Sequence, residues 1–285
     1  MSGSVPHLSL ITPVRAPAPD ALVLNLGRIL SDLEKLDREF ELIVVCDGGA
    51  DTTRALRDAL ADDRVVVIGY AENRGKGYAI SYGIANARGR LIGWLDSDLD
   101  LHPSAIVDAT RELERLGVDA VVGSKRHPRS QVDYPLPRRV LSAGYQLLTR
   151  ALFRVNVRDT QVGAKVFRRE MLDTVAPLLL VKRYAFDLEV LAVGAEFGFD
   201  RVAEVPVRLD YQFTGTGINA PAVRNMLIDT LAIGYRIHLR HWYVRQFAAW
   251  QRIRTDEVAG EVGDGGDTAP AADRGNLSEI RATLG

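Results

Sequence analysis

Short runs of β-branched and apolar residues alternate with helical patterns through the first half of the chain. The runs are HLSLITPV, FELIVVCD, RVVVIGY, RLIGWLD and DAVVGSK, and the helical patterns between them lie near residues 20–37, 51–61, 75–88 and 103–117. Strands that alternate with helices form βαβ units and a largely parallel sheet covered by helices on both faces. The alternation therefore predicts an α/β fold, in which ligands bind beyond the carboxyl ends of the strands.

The second half of the chain is dominated by helical patterns. The last of them covers residues 222–254 and is broken once, and the short strand RVAEVPVRL precedes it. The final thirty residues are rich in Gly, Ala and Asp and have too few large apolar side chains for a packed core. We therefore expect an α/β domain over residues 1–214, a helical segment over 215–255 and a disordered tail over 256–285.

Charge and cysteine content limit the partners and the compartment. The 36 Lys and Arg residues nearly balance the 37 Asp and Glu residues, which gives no indication of a nucleic-acid partner. The balance conceals a local excess, because residues 125–169 carry eleven Lys or Arg and only two Asp. The single cysteine, Cys46, excludes an internal disulfide and fits a reducing compartment, so a cytoplasmic location is expected.

Contact with a membrane is expected only at its surface. No segment approaches the roughly eighteen apolar residues that a membrane span requires. The first 25 residues also lack a basic region followed by an uninterrupted apolar run, so they do not indicate a secretory signal.

Three carboxylates lie at alternate positions at the end of the run RLIGWLD and directly after it. They are Asp96, Asp98 and Asp100. Carboxylates this close repel one another unless a cation lies among them, and oxygen donors of this kind suit Mg²⁺ or Mn²⁺ together with substrate phosphates. The alternative is that they favour the N-terminus of the helix that begins near Pro103, and this alternative applies best to Asp100.

Two earlier motifs lie at the same edge of the predicted sheet. Asp47 closes the second strand and is followed by two glycines, so its carboxylate can bind a nucleobase or a ribose, or it can cap its own turn. Gly75 and Lys76 begin the helical pattern near residues 75–88. A helix N-terminus with a lysine attracts phosphate. An ordinary loop with a solvated lysine is the alternative.

Seven motifs, in their order and spacing, resemble those of the family 2 inverting glycosyltransferases and especially the polyprenyl-phosphate sugar synthases. They are VVCDGGADTT, NRGKGYAISYGIANARG, DSDLD, GSKR, RDTQVGAKVFRRE, FDLEVL and VAEVPVRL, within residues 8–212. The resemblance implies a GT-A-like fold and transfer of a hexose, with inversion, from a donor of the UDP-glucose or GDP-mannose type to a polyprenyl or dolichyl phosphate. It also implies a bound Mg²⁺ or Mn²⁺. The motifs DTQVGAK and FDLEVL favour the glucosyltransferase branch over the mannosyltransferase branch.

The resemblance also implies roles for individual residues. Positions that match donor-binding residues are Asp47, Gly75, Lys76 and Asp96. Positions that match metal ligands are Asp96 and Asp98, with Asp100 as a third candidate. Positions that match the acceptor-phosphate site are Lys125, Arg126, Arg138, Arg139 and Gln161. The candidates for direct participation in the reaction are Asp98, Asp159 and Lys76.

The sequence departs from the family pattern twice. The segment TPVRAPAPDA lacks the Asn and Glu that usually follow the first strand, and Cys46 replaces one of two aspartates that usually follow the second. Two other functions stay open, the first favoured by the lack of a membrane-spanning segment and the second by the missing Asn and Glu after the first strand. One is a soluble glycosyltransferase that acts on a hydroxyl group, with Asp159 as general base, whereas a phosphate acceptor is already ionised at neutral pH and needs only positioning cations. The other is a nucleotide-sugar-binding protein without turnover.

The C-terminal helical pattern carries apolar side chains at spacings of three and four residues, with arginines between them. The apolar side chains are Leu239, Trp242, Tyr243, Phe247, Trp250 and Ile253. Such a stripe is typical of an amphipathic helix, which either lies on a membrane interface or packs on the core of its own protein.

Overall fold

The computed structural model describes residues 4–15, 19–130, 136–183, 185–209 and 220–261. Within these ranges, residues 19–21, 136–142, 220 and 253–261 are described by their backbone alone.

Seven strands of the described residues form one sheet. They are β1 (Leu8–Val14), β2 (Phe40–Asp47), β3 (Val65–Tyr70), β4 (Leu91–Trp94), β5 (Ala120–Ser124), β6 (Lys165–Arg168) and β7 (Val202–Pro206). Their order across the sheet is β3-β2-β1-β4-β6-β5-β7. Only β6 is antiparallel to its neighbours, β4 and β5. The predicted α/β fold with a mostly parallel sheet is confirmed, and β6 is the one strand that the sequence pattern did not predict.

Helices cover both faces of the sheet. They are α1 (Pro19–Leu33), α2 (Ala50–Ala59), α3 (Lys76–Asn86), α4 (Ser104–Leu116), α5 (Leu136–Leu152), α6 (Arg169–Val175), α7 (Phe186–Glu196), α8 (Ala220–Gly234) and α9 (Trp242–Glu261). Gly117 ends α4 with a φ of 64°, as the sequence predicts for a C-terminal glycine.

The strands divide the core into two layers because successive side chains of a strand point to opposite faces. Ile43 and Val45 of β2 join a cluster that includes side chains of α3, α6 and α7. Leu42 and Val44 join the other cluster, with side chains of α1, α2 and α4. Burial on both faces explains why the strand reads as a continuous apolar run rather than an alternating one.

The C-terminal helices pack on the first of these clusters. Beyond α8 the chain makes a π-helical turn over Tyr235–Leu239 and then breaks before α9 begins, so the single predicted break is observed. Tyr243 is only 1% exposed, and Trp242 and Phe247 pack against the same cluster. These three residues of the predicted stripe pack on the core. Leu239 of the same stripe is exposed, Trp250 is half-buried, and the side chain of Ile253 lies outside the described residues.

Two further features concern the ends of this region. The α9 helix continues to Glu261, past the predicted start of the tail at Asp256, and residues 262–285 lie outside the described residues. Among the described helices, none is both long enough and apolar enough to cross a membrane.

Candidate active site

The carboxyl ends of β1, β2 and β4 open into one cleft with a volume of about 760 Å³. The helix that follows β1 and the helix that precedes β4 cover opposite faces of the sheet, so the cleft lies where the direction of strand addition reverses. Such a switch point is where α/β proteins bind ligands. The sequence-predicted site residues that line the cleft are Asp47, Gly75, Lys76, Asp96, Asp98 and Gln161.

Lys76 is the cation that lies among the clustered carboxylates. It is the first residue of α3, and its Nζ lies 2.6 Å from Asp96 Oδ1 and 2.8 Å from Asp96 Oδ2. Burial disfavours the ammonium ion, but the Asp96 and Asp187 carboxylates outweigh that effect and raise the pKa of Lys76. Lys76 is therefore positively charged in the cleft, at a helix N-terminus that itself favours anions.

Asp98 and Asp100 are less well compensated than Asp96. Loss of hydration in the cleft, together with repulsion from Asp96 and Asp100, raises the pKa of the Asp98 carboxyl. Loss of hydration also raises the pKa of Asp100, and Lys125 opposes the shift. An added cation would relieve the repulsion at Asp98, so the donor set fits a divalent metal ion. The described residues contain no cluster of three acidic, His or Cys side chains with metal-site geometry, so further ligands would come from substrate or solvent.

Gly163, in the loop before β6, leaves room for the Asp96 side chain, and the sequence analysis did not identify this role. A Cβ atom at position 163 would lie 2.0 Å from Asp96 Oδ2, which is far inside van der Waals contact. Only glycine therefore fits at position 163 beside the Asp96 carboxylate. Gly163 belongs to the motif DTQVGAK, so the sequence marked this position. Only the folded structure shows that Gly163 contacts Asp96.

Asp47 organises the loop that carries Gly75. Its Oδ1 accepts the Tyr70 hydroxyl at 2.9 Å and the Arg74 N–H at 2.7 Å, and its Oδ2 accepts the Gly75 N–H at 3.0 Å. Asp47 is buried at the end of β2 and lines the cleft. In this structure it therefore binds neighbouring loop amides rather than capping its own turn, and its donor-binding role stays a prediction.

The predicted acceptor residues lie at the end of β5 and in the loop before β6. Lys125 and Arg126 follow β5 directly, and Arg126 donates to the side chain of Gln146 on α5. Asp159 Oδ1 accepts the Gln161 N–H at 3.1 Å. Among the described residues, Gln161 Nε2 is buried without a hydrogen-bond partner, so it is a donor available to a ligand in the cleft.

Asp159 lies in a basic environment. Burial raises the pKa of its carboxyl, while Lys125, Lys165 and Arg126 act in the opposite direction. The structure thus brings Lys125, Arg126, Asp159 and Gln161 into one region. The backbone of Arg138 and Arg139 lies in α5, but their side chains are outside the described residues, so their predicted contact with an acceptor phosphate stays a prediction.

A buried ion pair forms the floor of the cleft, and sequence reasoning missed it. Lys165 of β6 is fully buried, and its Nζ lies 2.8 Å from Oδ1 of Asp187, which lines the cleft. Trp94 Nε1 donates to the same oxygen at 3.0 Å. Burial opposes ionisation of both groups, yet the ammonium ions of Lys165 and Lys76 hold the pKa of Asp187 below its usual value. Lys165 lies in the motif RDTQVGAKVFRRE and Asp187 in the motif FDLEVL, but neither motif showed that the two side chains pair.

The mostly parallel seven-stranded sheet with helices on both faces has the GT-A fold of glycosyltransferases. Residues 23–176, just over half of the chain, match the family described as Glycosyl transferase family 2. The chain belongs to this family and is a glycosyltransferase.

Two curated relatives extend the comparison over most of the chain. A dolichyl-phosphate beta-glucosyltransferase of Dictyostelium discoideum is 27% identical over 84% of this chain and 77% of its own length. The glycosyltransferase AglD of Haloferax volcanii is 34% identical over 72% of this chain, which corresponds to only 32% of the longer AglD protein.

Two solved structures share the fold. Mannosyl-3-phosphoglycerate synthase from Rubrobacter xylanophilus superposes with a TM-score of 0.55 at 18% identity, over 96% of this chain and 81% of that one. Mannosyltransferase PcManGT from Pyrobaculum calidifontis, in complex with GDP-Man and Mn²⁺, superposes with a TM-score of 0.50 at 17% identity, over 99% of this chain and 79% of that one. At these identities the likeness establishes the fold.

Proposed function

We propose that this glycosyltransferase moves a hexose, with inversion, from a nucleotide sugar to a polyprenyl phosphate. The observation that supports the proposal is a cleft suited to a donor beside a basic region. Lys76, Asp96 and Asp98 line the cleft and suit a nucleotide diphosphate and a metal ion. Lys125 and Arg126 act on Asp159, which accepts a hydrogen bond from the backbone of the cleft-lining Gln161. The similarity to proteins named dolichyl-phosphate beta-glucosyltransferase supports the choice of acceptor.

The donor side suits a leaving group that becomes negatively charged. Lys76 provides a fixed cation at a helix N-terminus, where developing charge on a diphosphate is stabilised. Asp96 and Asp98 would hold Mg²⁺ or Mn²⁺, and the bound ion would neutralise the diphosphate as the glycosidic bond breaks. The Mn²⁺ bound by the Pyrobaculum mannosyltransferase is consistent with this assignment.

The acceptor side suits a phosphate monoester. The second pKa of such an ester is about 6, so the nucleophilic oxygen is already ionised at neutral pH and requires positioning rather than a general base. Lys125, Arg126 and the unpaired amide of Gln161 would position that phosphate. Arg138 and Arg139 are proposed to complete the site.

The second candidate function is transfer to a hydroxyl group, with Asp159 as general base. One observation favours it: burial raises the pKa of Asp159. A carboxylate with a raised pKa accepts a proton more readily, which is what a general base requires.

An exposed apolar stripe on α8 and the following turn supports a peripheral position on a membrane, where a polyprenyl acceptor would be met. Leu227, Leu231, Tyr235 and Leu239 are exposed and follow one another at intervals of four residues. The exposed Arg224 precedes the stripe, and Arg240 and Arg245 follow it. Apolar side chains flanked by arginines suit the surface of an anionic bilayer. We propose that this stripe, which shares only Leu239 with the predicted one, contacts the cytoplasmic face of a membrane.

The decisive experiment supplies the purified protein with UDP-glucose and GDP-mannose, Mn²⁺ or Mg²⁺, and either a short polyprenyl phosphate or its dephosphorylated alcohol. We expect a glycosylated product, identified by mass, with the phosphate only. Equal use of the alcohol would favour the hydroxyl-transfer function. Donor binding without either product would favour the protein that binds nucleotide sugars without turnover.

A further inference from the structure

A buried glutamate joins three elements behind the cleft. Glu189 of α7 is 0% exposed. Its Oε2 accepts the N–H groups of Leu180 at 3.0 Å and Val181 at 2.8 Å. Its Oε1 accepts the hydroxyl of Tyr243 on α9 at 2.6 Å and lies 3.7 Å from Arg236 Nη1 in the π-helical turn. One carboxylate oxygen therefore binds the loop before α7, and the other binds the C-terminal helices.

The loop over residues 179–183, named here the 179–183 loop, is packed against the donor side of the cleft. The Lys182 carbonyl accepts the Gly77 N–H at 2.9 Å. Gly75 adopts a φ of 96°, and a Cβ atom there would lie 2.6 Å from the Lys182 oxygen and 3.0 Å from Arg183 Cγ. Arg183 itself lines the cleft. A shift of the 179–183 loop would therefore move the first turn of α3 and also Arg183.

Packing alone does not explain a carboxylate at position 189. Burial of an ionised group is unfavourable unless several donors compensate it, and an apolar side chain would fill the same volume without that requirement. Here the donors are two backbone amides and a hydroxyl, with a guanidinium nearby, and they come from separate parts of the chain. The directional bonds fix the distance between these parts, which apolar contacts would leave adjustable.

We propose that Glu189 is a positioning residue for the donor site. Through the 179–183 loop it fixes the Gly75–Gly77 segment, and with it Lys76 and Arg183, in a geometry that depends on the docking of the π-helical turn and α9. Glu189 lies outside the cleft lining and acts through other residues. The inference rests on the proposed use of a nucleotide-sugar donor.

The test compares Glu189→Gln with Glu41→Gln, a matched control. Glu41 is also a buried glutamate, and its carboxylate accepts the Ser9 hydroxyl at 2.6 Å and the Arg88 N–H at 2.7 Å. It lies near the start of β2, at the opposite edge of the sheet from the cleft. Both substitutions replace one acceptor oxygen by an amide group, so both should lower the melting temperature.

Two readouts separate positioning from stability. Amide hydrogen exchange over residues 75–80 reports the Gly77–Lys182 bond without any ligand, and the KM for the donor reports the site. We expect Glu189→Gln to speed exchange in this segment roughly tenfold and to raise the donor KM by a similar factor, with the acceptor KM unchanged. Glu41→Gln should change neither quantity.

Tyr243→Phe keeps the test decisive if Glu189→Gln does not fold. It removes one donor to Glu189 and keeps the packed ring, so a smaller shift in the same two readouts is expected. Exchange over residues 75–80 that equals the wild-type rate in the folded variants would overturn the inference. A different outcome is also informative: the wild-type protein binds no nucleotide, but Glu189→Gln still speeds exchange over residues 75–80. This result would support the link between Glu189 and the Gly75–Gly77 segment and would overturn the proposed donor.

Discussion

The carboxylates of the DSDLD segment are not equivalent. Asp96 forms an ion pair with Lys76 and occupies the space left by Gly163, which has no side chain. Asp98, in contrast, is repelled by both of its acidic neighbours. The sequence raised the question of whether a metal or a basic side chain balances this cluster. The structure places a basic side chain on Asp96, whereas the repulsion at Asp98 would be relieved only by an added cation.

Substitution of Asp98 by Asn tests the metal proposal. We expect transfer to fall about 100-fold or more, because the charge that would hold the ion is removed. The melting temperature should not fall, since the Asp98 side chain is exposed and the loss of its charge relieves repulsion from Asp96 and Asp100. Rates with and without Mn²⁺ provide the measurement, and EDTA should reproduce the loss in the wild type. Asp108→Asn, an exposed aspartate on α4, is the control.

Substitution of Gly163 by Ala tests the packing of Asp96. The added methyl group would overlap Asp96 Oδ2, so we expect Asp96 to be displaced and activity to be lost. Gly144→Ala is the control, because a Cβ atom there meets nothing within 4 Å. That control should retain activity and gain up to about 1 kcal/mol in stability, as alanine favours a helix over glycine. Near-normal activity of Gly163→Ala would show that the position of Asp96 is not critical.

The acceptor proposal is tested by Arg126→Glu and Asp159→Asn. If the acceptor is a phosphate, Arg126→Glu should raise the acceptor KM steeply, because a charge-assisted contact becomes repulsive, and the donor KM should change little. The hydroxyl-transfer function makes the opposite prediction. In that case Asp159→Asn is severe and Arg126→Glu is nearly silent.

The pH dependence of the rate separates the two functions further. A general base works only when deprotonated, so with Asp159 as base the wild-type rate would fall as the pH drops through the pKa of its carboxyl. Burial raises that pKa, so the fall would begin above the pH expected for an ordinary aspartate, whose pKa is about 3.9. Asp159→Asn should abolish this dependence only under the hydroxyl-transfer function.

At the scale of elements, the C-terminal helices present two apolar surfaces with different partners. Trp242, Tyr243 and Phe247 face the protein core, whereas Leu231 and Leu239 face away from it. The sequence pattern marked the first surface together with Leu239 and left both interpretations open. Packing decided between them, because a helix at the end of the chain can only be assigned a buried face once its neighbours are known.

Replacement of both Leu231 and Leu239 by Ser tests the membrane proposal. Since the two side chains are 56% and 72% exposed, we expect the melting temperature to change little while co-sedimentation with anionic liposomes falls. Trp242→Ser should leave liposome co-sedimentation unchanged and lower the free energy of unfolding by several kcal/mol. Unchanged liposome binding by the double variant would exclude this stripe as the contact.

At the scale of the whole molecule, buried charges connect the cleft with the basic region around Asp159. Asp187 lies between Lys76, whose pKa it raises, and Lys165, with which it forms a buried ion pair, and Lys165 in turn acts on Asp159. These residues come from α7, α3, β6 and the loop before β6. The polar floor of the site therefore exists only when distant segments are assembled.

The buried ion pair should show strong coupling in stability. Lys165→Met leaves the Asp187 charge without its main partner, and we expect a loss of about 3–5 kcal/mol in the free energy of unfolding. The double variant with Asp187→Asn removes that charge as well and should recover part of the loss, because the amide oxygen can still accept the Trp94 N–H. Urea denaturation of the two variants measures the difference. A double variant less stable than Lys165→Met would contradict the ion-pair account.

The sequence by itself determined the order of strands and helices in the first half of the chain and the edge of the sheet where the cleft lies. Both follow from local rules: the alternation of apolar runs with helical patterns, and the position of Asp47, Lys76 and Asp96 at the ends or starts of those runs. The tertiary structure alone decided that β6 runs antiparallel, that Lys165 pairs with Asp187, and that Glu189 joins α7 to the 179–183 loop and α9. These contacts join residues far apart in the chain, and a periodic pattern shows which side chains are apolar without showing which partners they meet.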